Sequence, residues 1–152
     1  MAKVLITGGT GTIGKVLTNA LLENNYELVV LTRNVKAALS KDRIHSPQLS
    51  YAAWDHAKGT IDAEAISQAD YIIHLAGAGV GDKRWTAKRK KEIVESRTQS
   101  SSLIVDSLAR IPNKVKAVIS ASGISWYGED PVVPNPDPFT EDWPYDPCAE
   151  QA

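Results

Sequence analysis

Apolar residues over the first 120 positions come in two alternating rhythms. Lys3–Thr7, Glu27–Thr32, Leu49–Trp54, Asp70–Leu75 and Val115–Ser120 are short aliphatic and β-branched runs, which predict five strands. The first suits a strand buried on both faces. Between the first two runs the period changes. Ile13, Val16, Leu17, Ala20 and Leu21 recur at helical spacing and predict an amphipathic helix from Thr12 to about Asn25. A short helix through Val35, Ala38 and Leu39 follows the second run, and a helical turn around Ala63–Ile66 precedes the fourth. From Trp85 to Ile111 there is neither Gly nor Pro, and Thr86 can cap the start, so one long helix is expected there. Its stripe would be Ile93, Arg97, Ser101, Ile104 and Leu108, with Ser100–Ser102 small enough for close approach to a sheet. Pro112-Asn113 ends it. Five strands alternating with helices predict an α/β fold, a doubly wound parallel sheet of about five strands.

Past Gly128 the pattern stops. Six of the eight prolines (131, 134, 136, 138, 144 and 147) fall in this last stretch, which has no apolar period. Proline removes backbone donors, so neither a helix nor a central strand fits. The division expected is a folded portion over 1–128 and an extended, irregular tail over 129–152, either wrapping the body through Phe139, Trp143 and Tyr145 or frayed. Hydrophobic residues at 43% and charged residues at 23% are those of a globule. A net charge of −1 and a pI near 6.3 argue against a nucleic-acid or membrane-surface binder. Cys148 is the single cysteine, so an intrachain disulfide and a Cys-rich zinc site are excluded, and His45, His56 and His74 show no metal spacing. No apolar run approaches the roughly 18 residues of a spanning helix. The N-terminus passes straight into a strand without an export signal, so the expected compartment is the cytoplasm.

Candidate chemistry begins at Thr7-Gly-Gly-Thr-Gly-Thr-Ile-Gly14, between the first strand and the first helix. Gly8 permits the sharp turn out of the strand, Gly11 lets the backbone approach a pyrophosphate, and Gly14 lets helix pack on sheet. The diphosphate would sit at the positive end of the helix. This strand–turn–helix context is that of a Rossmann-like domain. A glycine-rich structural turn would show the same letters. At the end of the second strand, an acidic residue would bind the ribose 2′-hydroxyl of NAD. This chain has Thr32-Arg33-Asn34, with Lys36 beyond. A guanidinium there suits a 2′-phosphate and favours NADP, unless Arg33 is a solvated loop charge.

The segments at 7–14, His-Leu-Ala-Gly-Ala-Gly at 74–79, Arg-Trp-Thr at 84–86, Glu-Ser-Arg at 95–97 and Ser-Ala-Ser-Gly-Ile-Ser-Trp-Tyr-Gly at 120–128 resemble the short-chain dehydrogenase/reductase superfamily. More narrowly, the chain is similar to its atypical extended, sugar-nucleotide-epimerase-like members, in register from Met1 to about Trp143. The resemblance implies that Gly8, Thr10, Gly11, Thr12, Ile13 and Gly14 form the dinucleotide loop. It implies that Thr32 and Arg33 meet the adenosine-phosphate end and that Leu75, Ala76 and Gly77 lie along the cofactor. It also implies that Glu92 and Arg97 sit near the cofactor and that Ser122 orients a substrate oxygen. Plainer alternatives stand beside these. Residues 75–77 could be a strand end that needs small side chains. Ser120 and Ser122 could satisfy backbone groups. Asp55, placed for an adenine contact, could equally hold a turn.

Chemistry in that superfamily rests on a Tyr with a Lys four residues later, the Lys lowering the phenol's pKa from about 10. Here Tyr127 is followed at that spacing by Pro131 and Tyr145 by Ala149. The only lysines after Arg110 are Lys114 and Lys116. Tyr127 as an acid would lack a cationic neighbour, and Cys148 lacks a base. The function expected is an NADP-binding, epimerase/dehydratase-like oxidoreductase using hydride transfer on a small molecule that the sequence does not specify. The alternatives are a non-catalytic dinucleotide-binding module, or a truncated fragment of a longer relative with further strands and a substrate portion. A third is an interaction module whose open sheet edge pairs with a partner or a second copy. The basic cluster at Lys83-Arg84 and Lys88–Lys91 opposes the dipole of the long helix, which suits either an anionic partner or plain solvation.

Overall fold

The computed structural model describes residues 1–41 and 44–123, together with 127, 128, 136, 137, 139, 140, 142 and 143. Two compact units divide the chain, Met1–Ser120 and Ala121–Ala152. The first contains β1 (Lys3–Thr7), α1 (Thr12–Glu23), β2 (Glu27–Thr32), α2 (Val35–Lys41), β3 (Leu49–Asp55), β4 (Thr60–Ile61), α3 (Ala63–Gln68), β5 (Tyr71–His74), α4 (Ala87–Arg110) and β6 (Ala117–Ser120).

The sheet order is β4-β3-β2-β1-β5-β6. All pairings are parallel except β3 with β4. The chain works outward from β1 to β4, then returns to lay β5 on the other side of β1. That reversal makes β1/β5 the switch point, where a crevice opens at the carboxyl ends of the strands. Thr7 ends β1 opposite Leu31 of β2 and His74 of β5.

Strand alternation sends side chains to two cores. Val4, Ile6, Leu28 and Val30 face one side, with Leu21 and Leu22 of α1 packed on them. Leu5, Val29, Leu31 and Ile72 face the other, with Ile66 of α3 and Ile104 of α4. The central strands are therefore apolar on both faces, as parallel strands covered by crossover helices require.

Two expectations change. The sheet has six strands, because Thr60–Ile61 adds an antiparallel edge to β3 at Trp54 and Asp55. Two residues carry no period, so no pattern announces them. The buried stripe of α4 is Arg89, Ser96, Ser100, Ile104 and Ser107, while Arg97 and Ser101 are exposed. Serines can face the sheet because their hydroxyls bond within the helix, Ser100 to the Arg97 carbonyl at 3.1 Å and Ser107 to Leu103 at 2.6 Å. The cap falls where expected, Thr86 Oγ1 accepting the Arg89 amide at 3.2 Å.

In the second unit the Tyr127 ring stacks on Phe139 at 5.5 Å, and Trp143 meets Phe139 edge-on at 5.1 Å. Tyr145, Cys148 and Pro131, Pro134, Pro138, Pro144 and Pro147 lie outside the described residues. Among the described residues no helix is long and apolar enough to cross a membrane.

Candidate functional site

Gly8 leaves β1 with φ +72°, and a Cβ there would lie 2.8 Å from the Leu75 carbonyl carbon and oxygen. Only glycine allows both the left-handed turn and this backbone-to-backbone contact between the loop after β1 and the segment after β5. Gly11 donates its amide to the Gly8 carbonyl at 3.0 Å and caps α1 without a side-chain bond. The first turn of α1 has no acidic residue. Its opening amides therefore keep their positive potential free of any capping side chain. At Gly14 a Cβ would fall on the Gly8 carbonyl and Gly9 Cα, so this glycine seats the helix on the loop.

A cleft of about 950 Å³ runs across the switch point. Gly8, Thr10 and Gly11 form one wall, Thr32 and Arg33 close the β2 end, and Trp54, His56 and Ala57 follow from β3. Leu75–Gly79, Asp82 and Lys83 and, on α4, Lys88, Arg89, Lys91, Glu92, Glu95, Ser96 and Gln99 also line it. Thus Gly8, Thr10, Gly11, Thr32, Arg33, Leu75, Ala76, Gly77 and Glu92 come together. Thr12, Ile13, Gly14, Asp55 and Arg97 are not on its surface. The first three carry the start of α1. Asp55 accepts the Ala57 and Lys58 amides at 3.1 and 3.3 Å and pairs with the Lys58 ammonium at 3.5 Å, which is the turn-holding alternative. Arg97 donates to the carbonyls of Ala78 and Ile93 at 3.2 and 3.0 Å and packs under Gly77. Ser122, which is exposed, and Tyr127 belong to the other unit. A second cavity, about 720 Å³ between β4 and α4, touches none of the candidate cofactor or catalytic residues named from the sequence.

Arg33 is exposed, with no ion-pair partner among the described residues. Asn34 is spent on α2, its Oδ1 accepting the Ala37 amide at 2.9 Å. Arg89, by contrast, is only 6% exposed. It donates to Gly79 O at 2.6 Å and pairs with Glu92 at 2.7 Å and Asp82 at 3.4 Å. The Arg89 hydrogen bond holds the Glu92 carboxyl below its ordinary pKa, so Glu92 is an anion at neutral pH. Nothing in Lys88-Arg-Lys-Lys91 marks the second of four basic residues as the buried one. Ser96 lies inside the Glu-Ser-Arg segment at 95–97, which gives it no role of its own; its hydroxyl accepts the Ala78 amide at 2.9 Å and fastens the cleft wall to α4.

A glycine loop and an uncapped helix end at the switch point of a doubly wound sheet define a dinucleotide-binding α/β domain. The chain belongs to the NAD-dependent epimerase/dehydratase family, whose model matches residues 4–151. It is 33% identical over 127 residues to an epimerase family protein of Staphylococcus haemolyticus, covering 84% of this chain and 39% of that protein. With one from Staphylococcus aureus it shares 34% over 131 residues, covering 86% and 40%. The chain thus spans about two-fifths of the length of the curated relatives it matches. Among solved structures, the human epimerase family protein SDR39U1 with NADPH is 25% identical, with a TM-score of 0.63, covering 94% of this chain and 42% of that one. Yeast methylglyoxal/isovaleraldehyde reductase Gre2, complexed with NADPH, shares the fold with a TM-score of 0.68 at 17% identity, covering 82% of this chain and 38% of that one.

Proposed function

We propose that this chain is the dinucleotide-binding portion of an oxidoreductase or epimerase that prefers NADP(H) to NAD(H) and works by hydride transfer on a small organic substrate. One observation carries the reading: the cleft offers anions the uncapped start of α1 and, at the end of β2, Arg33, which has no ion-pair partner among the described residues, with Lys83, Lys88 and Lys91 also on its lining. A diphosphate fits the first and a 2′-phosphate the second. The glycines fit this use, since a Cβ at Gly8 would close the crossing of the two loops. The solved human relative's NADPH supports the same choice.

In this proposal Gly8, Thr10 and Gly11, with the amides of Thr12, Ile13 and Gly14, hold the diphosphate. Thr32 and Arg33, with Lys36 nearby, take the adenosine phosphate. Leu75–Gly77 line the middle of the cofactor, Arg97 fixes that wall from behind, and ionised Glu92 sets its charge from α4. Asp55 holds the turn after β3 and stays assigned to the adenine end, where its Oδ2, 3.5 Å from the Lys58 ammonium, has lone pairs to offer. A bound nicotinamide would supply the hydride donor or acceptor. Ser122 is assigned to the substrate oxygen and Tyr127 to proton transfer. A cytoplasmic setting and self-association through the β6 edge belong to the same proposal.

A second reading, binding without turnover, has its own support. Lys114 and Lys116, the only lysines after Arg110, both pair with Asp70, at 3.4 and 3.6 Å, before β5 and β6 begin. That is the amino end of the sheet, opposite the cleft, so neither can lower the pKa of a phenol there. Tryptophan fluorescence titrated with NADPH and NADH tests the cofactor, because Trp54 lines the cleft. NADPH is expected to bind tighter by about tenfold or more, as one charge-assisted pair would give. Tighter NADH would remove Arg33 from its role. Failure of both nucleotides to bind below the millimolar range would end the proposal.

A further inference from the structure

His74 lies at the end of β5, 5% exposed, behind the cleft wall. Thr7 Oγ1 is 2.6 Å from its Nδ1 and accepts the amides of Leu75 and Ala76, each at 3.2 Å. With two amides on the oxygen, the hydroxyl hydrogen is left for Nδ1. On the other side, Ser100 Oγ donates to the Arg97 carbonyl at 3.1 Å and lies 3.1 Å from Nε2, with Ser101 Oγ at 3.4 Å. Ser100 therefore accepts from Nε2–H. Both sides select one form, the neutral imidazole protonated on Nε2.

We propose that His74 is a positioning residue for the cradle: as a neutral imidazole it locks the Leu75–Ala76 wall to β1 through Thr7, and its protonation unlocks that wall. A second proton would sit on Nδ1 and point at Thr7 Oγ1, which already takes two amides. The threonine's own hydrogen would then have no acceptor in a fully buried place, since Thr7 is 0% exposed. Accepting from Nδ1 costs the oxygen its amides: Leu75 falls back on the Thr7 carbonyl at 3.1 Å, and Ala76, whose amide joins the wall to the strand under Gly8, loses its bond as the hydroxyl turns to re-aim its hydrogen. The groups around the imidazole are Thr7 from β1, Trp54 edge-on from β3 at 6.4 Å, and Ser100 and Ser101 from α4. His56, against the same Trp54 at 5.9 Å, is the neighbouring titratable group. No charged side chain pairs with His74 among the described residues. Burial pushes its pKa below the ordinary histidine value. The lock therefore holds through neutral pH and opens only in acid.

The consequence for cofactor affinity rests on the function proposed above; the link between His74 and the wall does not. Nitrogen-15 spectra of the imidazole and of the Leu75 and Ala76 amides, followed against pH on the full chain, test the link. The expected result is an Nε2–H tautomer that titrates below the ordinary value of about 6.5, with both amides shifting at the same midpoint. An Nδ1–H tautomer, an ordinary midpoint, or amides that ignore the titration would overturn the proposal. NADP⁺ affinity is then compared between about pH 8 and about pH 5 in the parent and in His74→Asn, whose Oδ1 can accept from Thr7 without titrating. Because the nucleotide's own phosphate titrates equally in both, the parent should lose about tenfold more affinity than the variant. Equal losses would sink the link to binding. Absence of NADP⁺ binding with the spectra as expected would refute the cofactor reading and leave the lock standing. The spectra need no variant, so an Asn substitution that fails to fold still leaves them decisive.

Discussion

Replacing Gly8 by Ala probes the point where the two halves of the cleft touch. Two costs follow from its geometry. At φ +72° an L side chain is strained by about 1–2 kcal/mol. The new Cβ would also meet the Leu75 carbonyl carbon and oxygen at 2.8 Å and the Ala76 nitrogen at 2.9 Å. Those are backbone atoms, and both amides are held by the Thr7 hydroxyl, with Leu75 bonded to the Thr7 carbonyl as well, at 3.1 Å. They cannot move aside as a flexible side-chain end would, so overpacking adds about 1–3 kcal/mol. The total of about 2–5 kcal/mol is a large part of a stability near 5–15 kcal/mol. Gly59→Ala supplies the internal reference. Its φ is +65°, but nothing lies within 4 Å of the added Cβ, so it bears the backbone strain alone. Urea unfolding followed by tryptophan fluorescence should lower the midpoint of Gly8→Ala beyond that of Gly59→Ala by about 1 M, given a slope of about 1–3 kcal/mol per M. Midpoints for the two variants that coincide would show that the loops do not meet as described.

Arg33→Ala should weaken NADPH binding by about 10- to 100-fold, the worth of a charge-assisted pair, and leave NADH affinity unchanged in the same titration; equal losses for both nucleotides would contradict the 2′-phosphate assignment. Asp70 is held below its ordinary pKa first by the Lys3 amide at 2.9 Å and then by Lys114 and Lys116, against burial, which raises it. A lowered carboxyl pKa stabilises the fold above the unfolded value of about 3.9, and that gain is lost as pH falls through the lower folded value. Asp70→Asn should accordingly be less stable than the parent at neutral pH and approach it in acid; a gap that widens in acid would refute the sign. Thr86→Ala removes the α4 cap and should cost about 1 kcal/mol in thermal unfolding, with a change near zero arguing against the bond to the Arg89 amide.

Elements with long, strong periods could be read from the letters. The helix from Thr12, the Thr86 cap and the Pro112 stop announce α1 and α4, because caps and breakers act over a few neighbouring residues. The glycine loop was legible for the same reason, since the left-handed turn at Gly8 and the seat of Gly14 on Gly8 and Gly9 are local backbone demands, whereas the contact of Gly8 with Leu75 is not. What stayed hidden depends on residues distant in sequence. Arg89 is buried because Asp82 and Gly79 fold back over it, and a run of four basic residues gives no sign of which one they choose. The stripe on α4 turned away from Arg97 toward Ser96, Ser100 and Ser107, because closeness to the sheet outweighed hydrophobicity once the hydroxyls bonded internally. Asp55 shows the limit of a local signal. Its position after a strand suits a ligand or a turn equally, and it holds the turn through Ala57 and Lys58 while keeping lone pairs for a ligand.

Everything turns on whether the amides that open α1 receive paired phosphates. Backbone amide resonances of the nitrogen-15-labelled chain, followed as NADP⁺ is added, address this residue by residue. Gly11, Thr12, Ile13 and Gly14 should move most and saturate together, with Leu75–Gly77 following across the cleft. Unmoved resonances at 11–14 while others saturate, on α4 near Asp106 and Arg110 for example, would place the nucleotide elsewhere and contradict the account.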